Sequence, residues 1–253
     1  MTRSAYRALG LAGSRSEANG LVTANLQFTL EYYSRLAALA RKAYPATQAR
    51  VGGTGFASLE RAVTRGEGAV VVTVHLGDFD LAGCWLWRRL GQRPVVPIAR
   101  DAWPGRQAFY DRARRAAGLA LYDDEAIGMR DLAGQLEKGR VVVLMLDRAV
   151  GGRNVELDFL GRPALLSTTP VRLGQATGAC VIPAATWTDD GGERRIDIAP
   201  ALHLQDDCGE SGMQELADVL GRAIRRAPAQ WHVPRSSSQL PWRLDGASGW
   251  PRR

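Results

Sequence analysis

The chain is poor in histidine and cysteine, with three of each in 253 residues. Cys84, Cys180 and Cys208 are far apart and form no C-x-x-C pair. Neither a zinc site nor a disulfide framework is therefore expected. Unpaired thiols fit a reducing compartment, so the expected location is the cytoplasm. Long apolar runs are also missing. The longest, Ala69–Val72 and Val141–Leu146, have strand length and fall far short of the ~20 residues that span a bilayer as a helix. Arg3 and Arg7 precede no continuous apolar stretch, so the N-terminus does not read as a signal peptide. Membrane contact, if made, is expected to be peripheral, on the inner face of the plasma membrane. G-x-G-x-x-G and the P-loop pattern are absent, which removes the usual support for nucleotide folds. No G-x-S-x-G occurs, so there is no strong signal for a serine nucleophile.

What is present describes a globular chain. Hydrophobic residues make up 45% and charged residues 23%, which excludes disorder across the whole length. The net charge is +7. An anionic membrane, an acidic carrier or substrate, nucleic acid, or simply an arginine-rich coding bias would each account for it. The arginines are spread along the chain without a recognition motif, so no nucleic-acid partner is expected.

Residues 1–45 read as a helical segment, with Leu26, Phe28, Leu30, Tyr33, Leu36 and Leu39 at spacings mostly of three and four. The helix packs on the body of the protein or rests on a membrane or greasy substrate. Strands are expected at Ala69–Val74, Pro94–Ala99, Val141–Leu146, Val181–Ala185 and Arg195–Ile198, with a short extended piece at Val155–Phe159. Helices are expected at Phe56–Arg65, from Asp78 as N-cap to about Leu90, and at Ala108–Ala117, Ile127–Lys138, Thr168–Thr177 and Gln214–Arg226. Alternation of this kind specifies an α/β fold, with a mostly parallel central sheet flanked by helices. The whole chain reads as one domain: the N-terminal segment, an α/β core over 46–235, and a flexible Ser-, Pro- and Arg-rich tail over 236–253.

His203 reads as a strand-edge residue and His232 follows Trp231 near the end of the core. His75 alone falls at the C-terminal end of a central strand, where ligands bind in open α/β sheets. Asp80, in the first turn of the next helix, is expected to reach back to the His75 Nδ1–H and fix its tautomer. That is base-plus-orienter chemistry without a protein nucleophile. A structural histidine gives the same local pattern.

The stretch from His75 to Trp85 resembles the H-x-x-x-x-[DE] block of the lysophospholipid acyltransferase superfamily. More narrowly it resembles the lipid A late acyltransferases and the phosphatidylinositol mannoside acyltransferases. Leu146-Asp147-Arg148, Val155–Ala164, Thr177–Pro183 and Ala227–His232 follow in the family's order. The resemblance implies acyl transfer from a thioester, acyl-CoA or acyl carrier protein, to a hydroxyl or amine, with no further cofactor. It makes His75 the base and Asp80 its orienter, and it places a functional carboxylate at Glu156. Arg114 matches an active-site arginine four residues before a glycine, for donor phosphates or the acceptor head group; a solvated basic face is its alternative. Asp147 and Arg148 become site or supporting residues. Backbone N–H groups near Gly77 or Gly161 are candidates for the oxyanion. The chain departs from the family at Asp78, Phe79 and Ala149, and in a missing or reduced N-terminal anchor. Asp78 is then a further substrate-facing carboxylate, raising the basicity of His75 or favouring a cationic amine, or else only a helix cap. A glycolipid or phospholipid is the first acceptor. A small molecule of specialised metabolism is the second, and water, in a thioesterase, the third.

Overall fold

A computed structural model describes residues 2–41, 50–98, 103–123, 127–148, 152–202, 209–232 and 241–242. His203, Cys208, residues 42–45 and most of the tail lie outside the described residues, as do the readings made for them.

Two helices open the chain, α1 (Thr2–Ala8) and α2 (Arg15–Ala40). The single segment expected here is broken because Gly10 takes a left-handed turn at φ 62° and Ser14 caps α2 by accepting from the Glu17 N–H. Next come β1 (Arg50–Gly52), α3 (Phe56–Arg65), β2 (Ala69–Thr73), α4 (Phe79–Leu90), β3 (Val95–Ile98), α5 (Pro104–Ala116) and β4 (Ala120–Asp123). The second half holds α6 (Met129–Glu137), β5 (Val141–Met145), β6 (Asn154–Phe159), β7 (Arg162–Ser167), α7 (Thr169–Thr177), β8 (Cys180–Thr188), β9 (Arg194–Ile198) and α8 (Gly209–Arg226). A short 3₁₀ turn, Pro228–Gln230, ends the core. The strands β1, β4 and β7 are not apparent from the sequence pattern. β1 and β4 are only three and four residues long and β7 contains Pro163, so in each the pairing partner is what makes it extended.

Among the described residues seven strands form one sheet in the order β1-β9-β8-β2-β5-β3-β4. All neighbours are parallel except β8 and β9. β6 and β7 make a separate antiparallel hairpin. β2 is central and buried along its whole length. Its side chains alternate between faces. Val70, Val72 and Val74 join a core with α8, α7, α6 and the hairpin. Ala69 and Val71 join the opposite cluster, with α3 and α4. The α/β expectation holds, with helices covering both faces. The tail reading fails at Trp242, which is 2% exposed, stacks on Phe159 and donates Nε1–H to the Phe159 carbonyl at 2.7 Å.

Candidate active site

β2 and β5 are adjacent and in register, Thr73 facing Met145. The ladder's last backbone bond runs from the Leu146 N–H to the Thr73 carbonyl, 2.8 Å. One step further, the side chain of Asp147 takes over: its Oδ1 accepts the His75 backbone N–H at 3.1 Å and faces the His75 Nδ1 at 2.8 Å. The catalytic-looking pair is therefore formed by two neighbouring strand ends that are 72 residues apart in the chain.

Asp147 is fully engaged. Its Oδ2 accepts the Trp231 Nε1–H at 2.8 Å and Arg148 Nη1 at 2.6 Å. The carboxylate is completely buried, which alone would raise its pKa. Arg148, His75 and Trp231 outweigh burial and hold it well below the usual carboxylate range. An anion here must accept, so His75 carries its proton on Nδ1 and its lone pair on Nε2. The His75 side chain is 21% exposed. Burial first, then the charge of Arg148, lowers its pKa below 6.5 against the pull of Asp147. The imidazole is thus neutral at physiological pH, which is the state a general base needs.

The 3₁₀ turn closes this site from behind. Leu76 and Trp231 form an isolated antiparallel bridge. Gly77 N–H donates to the Gln230 carbonyl at 3.0 Å, and the His232 N–H donates to the His75 carbonyl at 2.8 Å. Gly77 is left-handed at φ 60°, and a Cβ there would sit 2.4 Å from the Thr186 carbonyl oxygen, so only glycine fits this close approach to β8. The Gly161 N–H is also committed, to Asp158 Oδ1 at 2.9 Å. The N–H groups of Gly77 and Gly161 themselves are thus both bonded within the protein.

Asp80 does not orient His75. It points the other way from the first turn of α4, accepting from the Tyr32 hydroxyl of α2 and from Arg114 Nε of α5 at 3.0 Å. Asp80 is 2% exposed. Burial and the Asp80 charge raise the pKa of Tyr32, so its phenol stays protonated and donates. Asp78 stands at the N-cap position of α4 but makes no capping bond. Its carboxylate pairs with Arg35 at 3.0 Å and Arg194 at 3.2 Å. Both of its oxygens therefore already face guanidinium groups. Glu156 is exposed on β6. Of the residues singled out from sequence, His75, Asp147 and Arg148 meet directly. Arg114 and Asp80 form an adjacent pair whose guanidinium charge acts on His75.

Residues 9–234 match the model of the bacterial lipid A biosynthesis acyltransferase family. The chain belongs to this family. It is 32% identical over 182 residues to a phosphatidylinositol mannoside acyltransferase of Mycobacterium tuberculosis, covering 71% of this chain and 57% of that protein. It is 31% identical over 179 residues to the protein of that name from Mycolicibacterium smegmatis, covering 68% and 57% of the two chains. The chain thus spans a little over half the length of the curated relatives it matches.

Sequence reasoning missed three members of this acyltransferase-family site: Tyr32, Trp231 in its hydrogen-bonding role, and His232. The Ala227–His232 stretch stood out in sequence as an ordered block, which was the one available signal. His232 is packed edge-on against Tyr32, with ring centroids 4.4 Å apart, and against Phe79 at 5.3 Å. Burial drives its pKa down from 6.5 to about 4.

These two histidines set an acid limit on stability. In the unfolded chain they take up protons below about pH 6.5, whereas the folded protein resists. Their contribution to folding is therefore fullest above pH 6.5 and weakens as pH falls towards 4. His232 alone accounts for a loss of about 3 kcal/mol across that window. Urea midpoints measured between pH 4 and 7 should fall accordingly, and His232→Phe should flatten the dependence.

Proposed function

We propose that this chain transfers an acyl group from a thioester donor, acyl-CoA or acyl carrier protein, to a hydroxyl group, with His75 as general base. The observation that carries this reading is the His75 Nδ1–Asp147 contact of 2.8 Å at the C-terminal edge of the sheet. In the reaction, Nε2 takes the acceptor's O–H proton as its oxygen attacks the thioester carbonyl. The carbonyl electrons move onto oxygen, and the guanidinium of Arg114 stabilises that charge. Collapse of the tetrahedral intermediate breaks the C–S bond. The imidazolium gives its proton to the departing thiolate, leaving an ester, a free thiol and neutral His75.

A lipid acceptor is the favoured substrate. The relatives are named for a phosphatidylinositol mannoside, and Asp78, for which a cationic amine was one of three sequence readings, is paired with two arginines. Among the described residues no helix is long and apolar enough to cross a membrane. Helix α2 instead carries apolar residues on both sides: Tyr32, Leu36 and Leu39 are buried, whereas Leu26 and Leu30 are 60% and 72% exposed. Trp103, beside α5, is 70% exposed. With the +7 charge, this surface suits a peripheral seat on an anionic bilayer.

The decisive experiment mixes acyl-CoA or acyl carrier protein donors with glycolipid, phospholipid and small-molecule acceptors and identifies products by mass spectrometry. Acyl ester that appears only with acceptor supports transfer. Thioester loss at the same rate without acceptor would establish a hydrolase instead. For the membrane surface, flotation with phosphatidylglycerol liposomes at low salt should recover the native protein. Leu26→Asp with Leu30→Asp should abolish recovery while leaving turnover of a water-soluble acceptor intact.

A further inference from the structure

We propose that His232 is a positioning residue of this site, acting through the Gly77 turn and Arg148 to hold His75 in its reactive tautomer. The inference rests on the acyl-transfer reading above only for its kinetic test.

Three different groups of His232 make three contacts. Its backbone N–H donates to the His75 carbonyl at 2.8 Å. Its carbonyl accepts from Arg148 Nη2. Its ring Nε2 lies 3.0 Å from the Gly77 carbonyl oxygen, which can only accept, so Nε2 carries the proton. The two ends of the His75–Gly77 segment are thereby tied to one residue. The same residue fixes the direction of the guanidinium that, with His75, saturates Asp147.

The ring cannot relax away from this position. Tyr32 packs on it at 4.4 Å, Phe79 at 5.3 Å and Phe28 at 5.7 Å, all edge-on. Tyr32 is itself held by Asp80, and Phe79 also meets the His75 ring at 5.1 Å. His232 is therefore the point at which α2, α4, the β2 exit and Arg148 are joined. Its backbone contacts survive any substitution; the Nε2–H···O=C bond to Gly77 does not.

Two variants separate positioning from packing. His232→Phe keeps an aromatic ring among Phe28, Tyr32 and Phe79 but has no donor. His232→Gln loses the ring but places an amide N–H near the former Nε2. If the bond to Gly77 matters, kcat falls about 100-fold in the Phe variant at nearly unchanged KM, and stays within about tenfold of native in the Gln variant. An independent readout is the ¹⁵N spectrum of the imidazoles, tractable with three histidines in the chain. His75 should show Nδ1–H alone in the native and Gln proteins, and a mixture of tautomers in the Phe protein. Native kcat and a single tautomer in His232→Phe would overturn the proposal, as would equal losses in both variants. If the native protein transfers no acyl group, the functional reading fails, and the tautomer measurement still decides the role of His232.

Discussion

Asp147→Asn is expected to lower kcat by about 10³–10⁴-fold, as is His75→Ala, and the double variant should lose no more than either alone. The reason lies in the donors around Asp147. Four hydrogen-bond donors converge on its two oxygens: the His75 N–H and Nδ1–H, the Trp231 indole N–H and Arg148. An asparagine has one oxygen and one NH₂ in the same space, so at least one donor would meet another donor. If the amide turns its NH₂ towards His75, the ring must accept on Nδ1 and protonate Nε2. The base then has no lone pair where the substrate sits. If it turns the other way, Trp231 and Arg148 lose their acceptor and the 3₁₀ turn loosens. The rate loss corresponds to about 4–5.5 kcal/mol of transition-state stabilisation. Since each change disables one unit, the effects overlap rather than add. Donor KM should move little, because neither group is assigned to donor binding. Steady-state kinetics on proteins whose folding is verified by thermal melts checks this. Additive losses in the double variant would show that Asp147 acts elsewhere.

Asp80→Ala is expected to act first on stability. Arg114 would be left 18% exposed with its Asp80 contact gone, and the Tyr32 hydroxyl would lose its acceptor. Breaking one side of a buried ion pair costs about 3–5 kcal/mol, because the remaining charge stays desolvated. In a chain of this size that lowers Tm by about 10 °C. Arg114→Met in the Asp80→Ala background should recover part of the loss, since it removes the stranded cation. Thermal melts of the two single variants and the double variant form the required cycle. An Asp80→Ala protein with native Tm but no tautomer control at His75 would restore Asp80 to the orienting role that the sequence suggested.

That contrast shows where sequence reading stops. His75 was legible because a β-branched run ends there and a capped helix follows, so the strand end could be located from local pattern. Asp80 was chosen as its partner because it is near in sequence. The first turn of α4, however, directs Asp80 towards α2 and α5, away from β5. Arg114 was legible through the family resemblance, as the arginine four residues before Gly118, yet its pairing with Asp80 was not, since it requires α4 and α5 to share one packed cluster. Glu156 fell on a hairpin whose exposed position only the β6–β7 pairing decides. The tail looked polar and loose, but Trp242 is buried because the hairpin offers Phe159 a stacking partner.

By itself the sequence determined the α/β class, the central buried strand, the position of His75 at its exit, and the ordered blocks that place the chain in its family. The first three follow from local periodicity, capping and composition, which act over a few residues; the blocks follow from the family resemblance. The tertiary structure alone decided that Asp147 holds His75, that Asp80 braces Arg114 and Tyr32, and that Trp231 and His232 close the site. Those contacts join residues from 34 to 155 positions apart. They exist because β2 pairs with β5 in one particular register and the C-terminal turn folds back onto the β2 exit, and no local signal encodes either event.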